Sequence, residues 1–174
     1  NRIINSNPIF TIPSFSLIAE NGNCTQAIKN TLKDYSKNCE KDGNNILIKK
    51  AILNTAFYYS CCLEYAEDVS SGLLEAQNHP VIKIEESFQI DNLNFSIAAI
   101  IYFQSMHYTI HILGAQHPTL MPNEMIKWFY HDGIKDSILN GKYVKGLLFE
   151  NTPNFEIDLR TSSLKPYILI YRVT

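Results

Sequence analysis

The residues with the clearest potential for chemistry lie in the second half of the chain. His107 stands just before the strand-like stretch 108–113, and Asp132 follows the aromatic run 128–130. An imidazole can take up and return a proton near neutral pH, and a carboxylate can hold that ring in one tautomer. Taken singly, His107 also fits an ordinary core or surface histidine, and Asp132-Gly133 fits a simple turn. The pair gains meaning only if the fold brings the two side chains together.

Cys24 is a candidate nucleophile because it stands at the start of a predicted helix. The partial positive charge of a helix N-terminus stabilises a thiolate and lowers the thiol pKa. The competing interpretation is a buried structural cysteine, and we predict that role for Cys39, Cys61 and Cys62. The four cysteines show no CxxC spacing that would close a tetrahedral zinc site. A reducing compartment is therefore the simpler expectation.

His107 and His111 are four positions apart, a spacing that lets two imidazoles share zinc on a helix. The composition of 108–113 predicts a strand instead. On a strand that rises roughly 3.3 Å per residue, the two Cα atoms would lie about 13 Å apart, too far for one ion. The sequence therefore predicts no metal site and no cofactor. The aromatic patch around Trp128 is interpreted as core packing.

Strands dominate the elements that would position these residues. Residues 96–103 are almost continuously apolar, which predicts a central strand covered on both faces. Residues 108–113 would follow it as an antiparallel partner across a short connection, and 166–173 predict another core strand. A helical turn is predicted over 123–129. The fold class predicted from this order is α+β, with a mostly antiparallel central sheet and a few helices.

The first half of the chain gives weaker patterns. Residues 8–18 alternate loosely and contain two prolines, which predicts an edge strand or an extended lead-in. Apolar residues recurring at helical spacing predict a short amphipathic helix over 24–36. Residues 38–45 are polar and are predicted to form a loop. The stretch 46–65 leaves a buried helix and a pair of strands open.

Composition limits the classes of function. A chain of 174 residues can build one apolar core, so a single domain over 1–174 is expected. We expect this domain to be incomplete at its N-terminus, because the chain begins with Asn. The 15 basic residues are scattered among 17 acidic ones, which disfavours nucleic acid as a partner. No apolar run reaches the roughly 20 residues that cross a bilayer, so no membrane partner is expected.

Three motifs occur in a meaningful order. They are Ser105-Met106-His107-Tyr108-Thr109, then Trp128-Phe129-Tyr130-His131-Asp132-Gly133, then Pro166-Tyr167-Ile168-Leu169-Ile170-Tyr171-Arg172. They resemble the carboxy-terminal half of a ubiquitin-specific protease domain. In that family a histidine opens a strand in a Gly-His-Tyr-Thr setting, an aspartate or asparagine follows an aromatic cluster, and a Tyr-x-Leu-x-Tyr-Arg strand ends the domain. Residues 79–84 resemble the family's Leu-Pro-Pro-Val-Leu strand, and 59–62 resemble a remnant of its zinc-binding finger.

The resemblance implies a papain-like cysteine peptidase fold and an intracellular, cytoplasmic or nuclear deubiquitinase. Its reaction would be thiol-dependent hydrolysis of the isopeptide bond after the tail glycine of ubiquitin or a ubiquitin-like modifier. His107 would be the general base and acid, and Asp132 would orient it. Two alternatives stay open. One is a catalytically inactive module of the same fold that binds or scaffolds, and the other is an unrelated papain-like peptidase that uses Cys24 directly.

Several features depart from the family pattern. Met106 stands where the family has glycine and adds bulk where the ubiquitin tail would pass, and Gly133 replaces a frequent second acidic residue. Asn21-Gly22-Asn23-Cys24 resembles the family's Gly-Asn-Thr-Cys box, but the interval from Cys24 to His107 is shorter than the family's. In an alternative register, residues 10–35 match the β-segment and helix before the fingers. The cysteine box would then lie upstream of Asn1.

Overall fold

The computed structural model describes residues 9–33, 35–38, 45–48, 58–64, 81–104, 107–114, 126–134, 137–139, 142–144 and 147–174. The helices in these ranges are α1 (Ser14–Ala19) and α2 (Cys24–Thr31). The strands are β1 (Ile9–Ile12), β2 (Tyr35–Asn38), β3 (Asn45–Ile48), β4 (Tyr58–Leu63), β5 (Ile82–Lys83), β6 (Ser87–Ile90), β7 (Leu93–Gln104), β8 (His107–Gly114), β9 (Lys127–Asp132), β10 (Ser137–Leu139), β11 (Lys142–Val144), β12 (Leu147–Glu150), β13 (Glu156–Ile157) and β14 (Pro166–Val173).

One sheet of eight strands organises the described part of the chain. Its order is β1-β4-β14-β7-β8-β9-β12, and β6 pairs with β7 beside that path. Among the described pairings of this sheet, only β1 with β4 is parallel. The remaining strands form the two-stranded ribbons β2-β3, β5-β13 and β10-β11. The prediction of a mostly antiparallel sheet with few helices is therefore confirmed.

The centre of the sheet is β7, with β14 on one side and β8 on the other. Its apolar run buries Phe95, Ile97, Ile100 and Tyr102 on the core side. Strands pair with both edges of β7, so its backbone N–H and C=O groups are hydrogen-bonded. A continuously apolar strand can therefore be buried without leaving unpaired backbone groups. The predicted central strand over 96–103 is confirmed, as is the core strand predicted over 166–173.

The core lies between one face of this sheet and the two helices, with aromatic rings at its centre. Phe88 stacks on Phe95 with ring centroids 4.9 Å apart and meets Tyr171 edge-on at 4.9 Å. Full burial of one such side chain contributes roughly 1.5–3 kcal/mol. The helices add Leu17 and Ile28 to the same cluster, so the helices are held by packing rather than by propensity.

The start of α2 has a simple local cause. The side chain of Asn23 accepts a 2.8 Å hydrogen bond from the backbone N–H of Gln26, which is the geometry of a helix N-cap. Just before it, Asn21 and Gly22 have φ of 50° and 80°, and this left-handed pair turns the chain from α1 into α2. The helix predicted to begin at Cys24 is confirmed at its start.

Several sequence predictions differ from the structure. The helix predicted to reach residue 36 ends at Thr31, because the strand β2 begins at Tyr35. The lead-in predicted over 8–18 is a strand only over 9–12, and Ser14–Ala19 is helical. The described part of the helical turn predicted over 123–129 is strand from Lys127 onward. Residues 39–44 of the predicted loop lie outside the described residues. The open stretch 46–65 contributes strands at both of its ends.

Candidate functional site: a histidine–aspartate pair

Neighbouring strands bring His107 and Asp132 together. His107 is the first residue of β8 and Asp132 is the last residue of β9, and Thr109 lies opposite Asp132 in the register. His107 shares a face with Thr109 because side chains alternate along a strand, and diagonal neighbours across a strand pair are within reach of long side chains. His107 Nε2 lies 2.7 Å from Asp132 Oδ1. The structure thus unites the two residues that the motifs single out.

Within the described residues, His107 and Ile134 both contribute hydrogen bonds that fix the carboxylate of Asp132. Only 2% of Asp132 is exposed. Its Oδ1 also accepts a 3.1 Å hydrogen bond from the backbone N–H of Ile134, so the side chain folds back over the end of its own strand. A buried carboxylate is costly unless it is paired and hydrogen-bonded, and both conditions are met here. The carboxylate is therefore a rigid support for the imidazole.

The geometry defines which nitrogen of His107 is available for chemistry. An ionised carboxylate only accepts hydrogen bonds, so Nε2 of His107 donates to Asp132. In the neutral ring, Nδ1 then carries the lone pair. The side chain of His107 is 27% exposed, so one side of the ring reaches solvent while the other is held. Such an imidazole can take a proton at Nδ1 and return it.

His111 is a second histidine on the same face, and its environment is quite different. It is 2% exposed and lies between the rings of Tyr102 and Tyr130, with centroids 5.3 and 5.0 Å away. Burial lowers the pKa of His111 to about 4, so its ring is neutral at neutral pH. Sequence reasoning weighed His111 only as a zinc ligand. Its even spacing from His107 on a strand was the signal for a shared face.

The structure places Cys24 in the core. Its side chain is fully buried, and its thiol donates a hydrogen bond to the carbonyl oxygen of Gly22, 3.9 Å from Sγ. Burial, with a smaller contribution from the charge of Glu85, raises the pKa of the Cys24 thiol to about 12. The expectation that the helix start would lower this pKa is wrong, because burial disfavours the charged thiolate. Cys24 has the features of a structural cysteine.

Cys24 and the pair have different surroundings in the structure. The thiol of Cys24 contacts the carbonyl oxygen of Gly22, whereas the ring of His107 contacts the carboxylate of Asp132. In the part of the chain that the structure describes, no hydrogen bond joins Cys24 to His107. The two candidate residues therefore do not form a thiol–imidazole pair.

The remaining sequence candidates have simple placements. Tyr59-Ser60-Cys61-Cys62 is part of β4 inside the main sheet, with Cys61 fully buried, so its interpretation as a zinc-finger remnant is wrong. Met106 and Cys39 lie outside the described residues. Among the described residues, a Cβ added at Gly133 would meet His131 Cε1 at 3.7 Å, an ordinary contact. A Cβ at position 133 therefore fits beside these residues.

Metal binding has no support in this arrangement. Over the described ranges, no group of three or more His, Cys, Asp or Glu side chains is placed to hold a metal ion. The strand predicted over 108–113 is present as part of β8, and His107 and His111 lie four residues apart on it. Within the same ranges, no helix is long and apolar enough to cross a membrane.

Comparison with known proteins gives structural likeness without a family. No protein-family model and no curated protein matches the chain. Among solved structures, the likeness is to pseudoubiquitin hydrolases. One is the Saccharomyces cerevisiae PAN2 pseudoubiquitin-hydrolase, with 14% identity and a TM-score of 0.44 over 95% of this chain and 49% of that chain.

Another is the Saccharomyces cerevisiae Pan2 pseudoubiquitin hydrolase-RNA exonuclease module in complex with A7 RNA. It has 10% identity and a TM-score of 0.49 over 96% of this chain and 29% of that one. The same module with AAGGA RNA gives 11% identity and a TM-score of 0.46 over 96% and 28%. This chain thus spans about half of the first protein and under a third of the module. Likeness at this level fixes neither a family nor an activity.

Proposed function

We propose that this chain is a ubiquitin-specific-protease-like domain of papain-like fold that recognises the carboxy-terminal tail of ubiquitin or a ubiquitin-like modifier. The observation that carries the proposal is the 2.7 Å contact between His107 Nε2 and Asp132 Oδ1. These are the two residues that the protease-like motifs assign to the general base and its orienter. Coincidental matches of short motifs would have no reason to place both side chains at one point of the sheet.

In this proposal the chain supplies the base of a thiol-dependent reaction. His107 would take the thiol proton at Nδ1 and later protonate the leaving amine, while Asp132 holds the ring in the required tautomer. Cys24 does not suit the role of nucleophile, since burial keeps its thiol protonated. Hydrolysis then requires a thiolate from another residue of this chain or from outside it. No cofactor enters the reaction.

The second candidate is a catalytically inactive module of the same fold that binds the modifier without cleaving it. It is favoured by the environment of Cys24, which removes the one nucleophile that sequence reasoning could place before the pair. In such a module the His107–Asp132 contact would stabilise the ends of β8 and β9 and shape the binding surface. Cys24 and Cys61 are buried thiols outside any disulfide bond, which suits an intracellular location for either candidate.

Ubiquitin bearing a carboxy-terminal electrophile distinguishes the two candidates. Incubation followed by peptide mapping would find an adduct on whichever cysteine is active, and the proposal predicts that Cys24 is not that cysteine. A Cys24→Ala variant is the matched control, since its labelling should equal that of the unmodified chain. An adduct on Cys24 would contradict the assignment and favour the peptidase that uses Cys24 directly.

Binding tests the part of the proposal that both candidates share. Ubiquitin should bind measurably, and ubiquitin without its last residues should bind at least roughly tenfold more weakly, a loss of about 1.4 kcal/mol. A His107→Ala variant should weaken binding of the intact form more than His131→Gln, because His131 does not share a face with His107. Equal binding of both ubiquitin forms, or none, would remove ubiquitin from the account. A7 RNA serves as a third ligand, and binding to it would contradict the expectation of no nucleic-acid partner.

A further inference from the structure

The turn between α1 and α2 contains a chemically labile pair of residues. Asn21 is exposed and is followed directly by Gly22. In an Asn-Gly pair the backbone nitrogen of glycine can attack the side-chain amide carbon of asparagine, because glycine has no side chain to hinder the approach. The pair belongs to the motif that precedes Cys24, and the proposed function gives it no role. It is therefore a candidate site of covalent modification.

The reaction of this pair needs only water. A bond forms between the backbone nitrogen of Gly22 and Cγ of Asn21, the Cγ–Nδ2 bond breaks, and the amide group leaves as ammonia with the proton of that nitrogen. Water then opens the cyclic imide at either of its carbonyl groups. One opening gives aspartate. The other gives isoaspartate, in which the main chain runs through the former side chain and is longer by a methylene group.

The folded turn holds the reacting groups apart. The backbone N–H of Gly22 donates a 2.8 Å hydrogen bond to the carbonyl oxygen of Leu17, and that of Asn21 donates a 3.1 Å bond to Ile18. Both residues of the pair have left-handed φ values, 50° and 80°. Ring closure requires the Gly22 nitrogen to lose its proton and turn toward the Asn21 side chain, so its bond to Leu17 must break. The fold therefore disfavours the reaction although Asn21 is exposed.

The same turn supports the start of α2. The carbonyl oxygen of Gly22 accepts a 2.9 Å hydrogen bond from the backbone N–H of Lys83 and a 3.9 Å bond from the thiol of Cys24. The side chain of Asn23 caps the helix through the N–H of Gln26. An isoaspartate in this turn lengthens the main chain just before these contacts. They cannot then all be made in the same register.

We propose that Asn21 is a site of spontaneous deamidation that the α1–α2 turn protects, and that its isoaspartate product holds the start of α2 open and makes the Cys24 thiol accessible. The rate of modification is set by how often the turn opens locally. The site lies outside the His107–Asp132 pair and does not rest on the proposed function. The aspartate product keeps the length of the main chain, so it leaves Cys24 buried.

Incubation at mildly alkaline pH, followed by peptide mass spectrometry, tests the protection. Asn21 should be modified at least roughly tenfold faster in the urea-unfolded chain than in the folded chain. Asn23→Ala removes the helix cap and should speed the reaction in the folded chain, as should urea too dilute to unfold it. Ser162→Ala is the matched control, because it removes a side-chain acceptor from a backbone N–H at another turn and should keep the wild-type rate. Equal rates in the folded and unfolded chain would overturn the proposal.

Alkylation with iodoacetamide tests the effect on Cys24. No Lys or Arg lies between Asn21 and Cys24, so one tryptic peptide reports both the modification and the alkylation. In the folded chain, Cys24 should be alkylated at least roughly tenfold faster in molecules with isoaspartate than in molecules with asparagine or aspartate. Asn21→Gly cannot cyclise, and its Cys24 should become no more reactive during incubation. Equal alkylation of the isoaspartate and aspartate forms would contradict the proposed opening of α2.

Discussion

A thiol peptidase needs an imidazole with its orienting group and a reactive thiol. The candidates for the first lie where β8 meets β9, the candidate for the second lies at the start of α2, and the two regions differ in solvent exposure. At the junction, Asp132 is buried and hydrogen-bonded to His107 and to the backbone of Ile134, and the side chain of His107 remains partly exposed to solvent. At the helix start, Cys24 is sealed in the core with a raised thiol pKa. Residue types and local motifs predicted a catalytic role for both regions. Burial and partners decide which of them can take part in acid–base chemistry.

The largest change in unfolding free energy is expected from removing the buried carboxylate of Asp132. Asp132→Ala leaves the N–H of Ile134 and the ring of His107 without their acceptor. Removing one partner of a buried pair typically costs about 3 kcal/mol of unfolding free energy. Urea denaturation followed by circular dichroism measures this change. Asp132→Asn should cost less because an amide oxygen can still accept, and a loss equal to that of Asp158→Ala, at an exposed ion pair, would contradict the account.

His111 should make the folded state sensitive to acid. Its pKa is lowered from 6.5 to about 4 in the folded chain, so between these values the unfolded chain binds more protons. Stability therefore falls as the pH drops through this window, by up to the order of 3 kcal/mol. Denaturation midpoints measured between pH 7 and 4 should fall less steeply in His111→Gln than in wild type. Parallel pH curves would show that His111 does not contribute this term.

A moderate effect is expected at the helix start. Cys24→Ser replaces a buried thiol with a hydroxyl in the apolar core and should cost about 1–3 kcal/mol of unfolding free energy. Cys24→Ala is the matched comparison, because it removes the sulfur without adding a strongly polar group. In the native state, iodoacetamide should modify Cys24 roughly tenfold or more slowly than half-buried Cys62. Equal rates would place the Cys24 thiol in solvent and restore it as a nucleophile.

The smallest effect should follow from adding an acidic residue after Asp132, as ubiquitin-specific proteases often have. Gly133→Asp introduces a side chain into an open position beside Asp132. Because position 133 is exposed, the change in unfolding free energy should stay within about 0.5 kcal/mol. Thermal unfolding compared with Gly133→Ala measures the contribution of charge. A loss of several kcal/mol would mean that the pair is less firmly held than its two hydrogen bonds indicate.

The central strands were predictable because their sequences are runs of apolar residues, which favour burial. The apolar run over 96–103 admits few alternatives to a strand paired on both edges, and the meeting of His107 with Asp132 followed from their positions at strand ends. The contact between His107 and Asp132 does not establish a catalytic role, and that role is still a prediction. The six-residue helix after Pro13 was missed, since a proline before a helix and a proline in an edge strand look alike in sequence.

The chemistry of individual side chains was harder to predict than their positions. The pKa of Cys24 depends on how completely α2 packs against the sheet, which involves residues far apart in sequence. The environment of His111 depends on Tyr102, Tyr130 and Asn151, which come from three other segments. Local patterns specify the element on which a residue lies. They do not specify the solvent exposure that sets its protonation.

The most direct test of a His107–Asp132 pair that serves the ubiquitin tail is a titration of the labelled chain with ubiquitin, followed through the ring nitrogens of His107. The account predicts a His107 that donates from Nε2 to Asp132, with ring signals that shift when intact ubiquitin is added and stay unchanged with ubiquitin that lacks its last residues. Signals that ignore both forms, or a ring that carries its proton on Nδ1 instead, would contradict it.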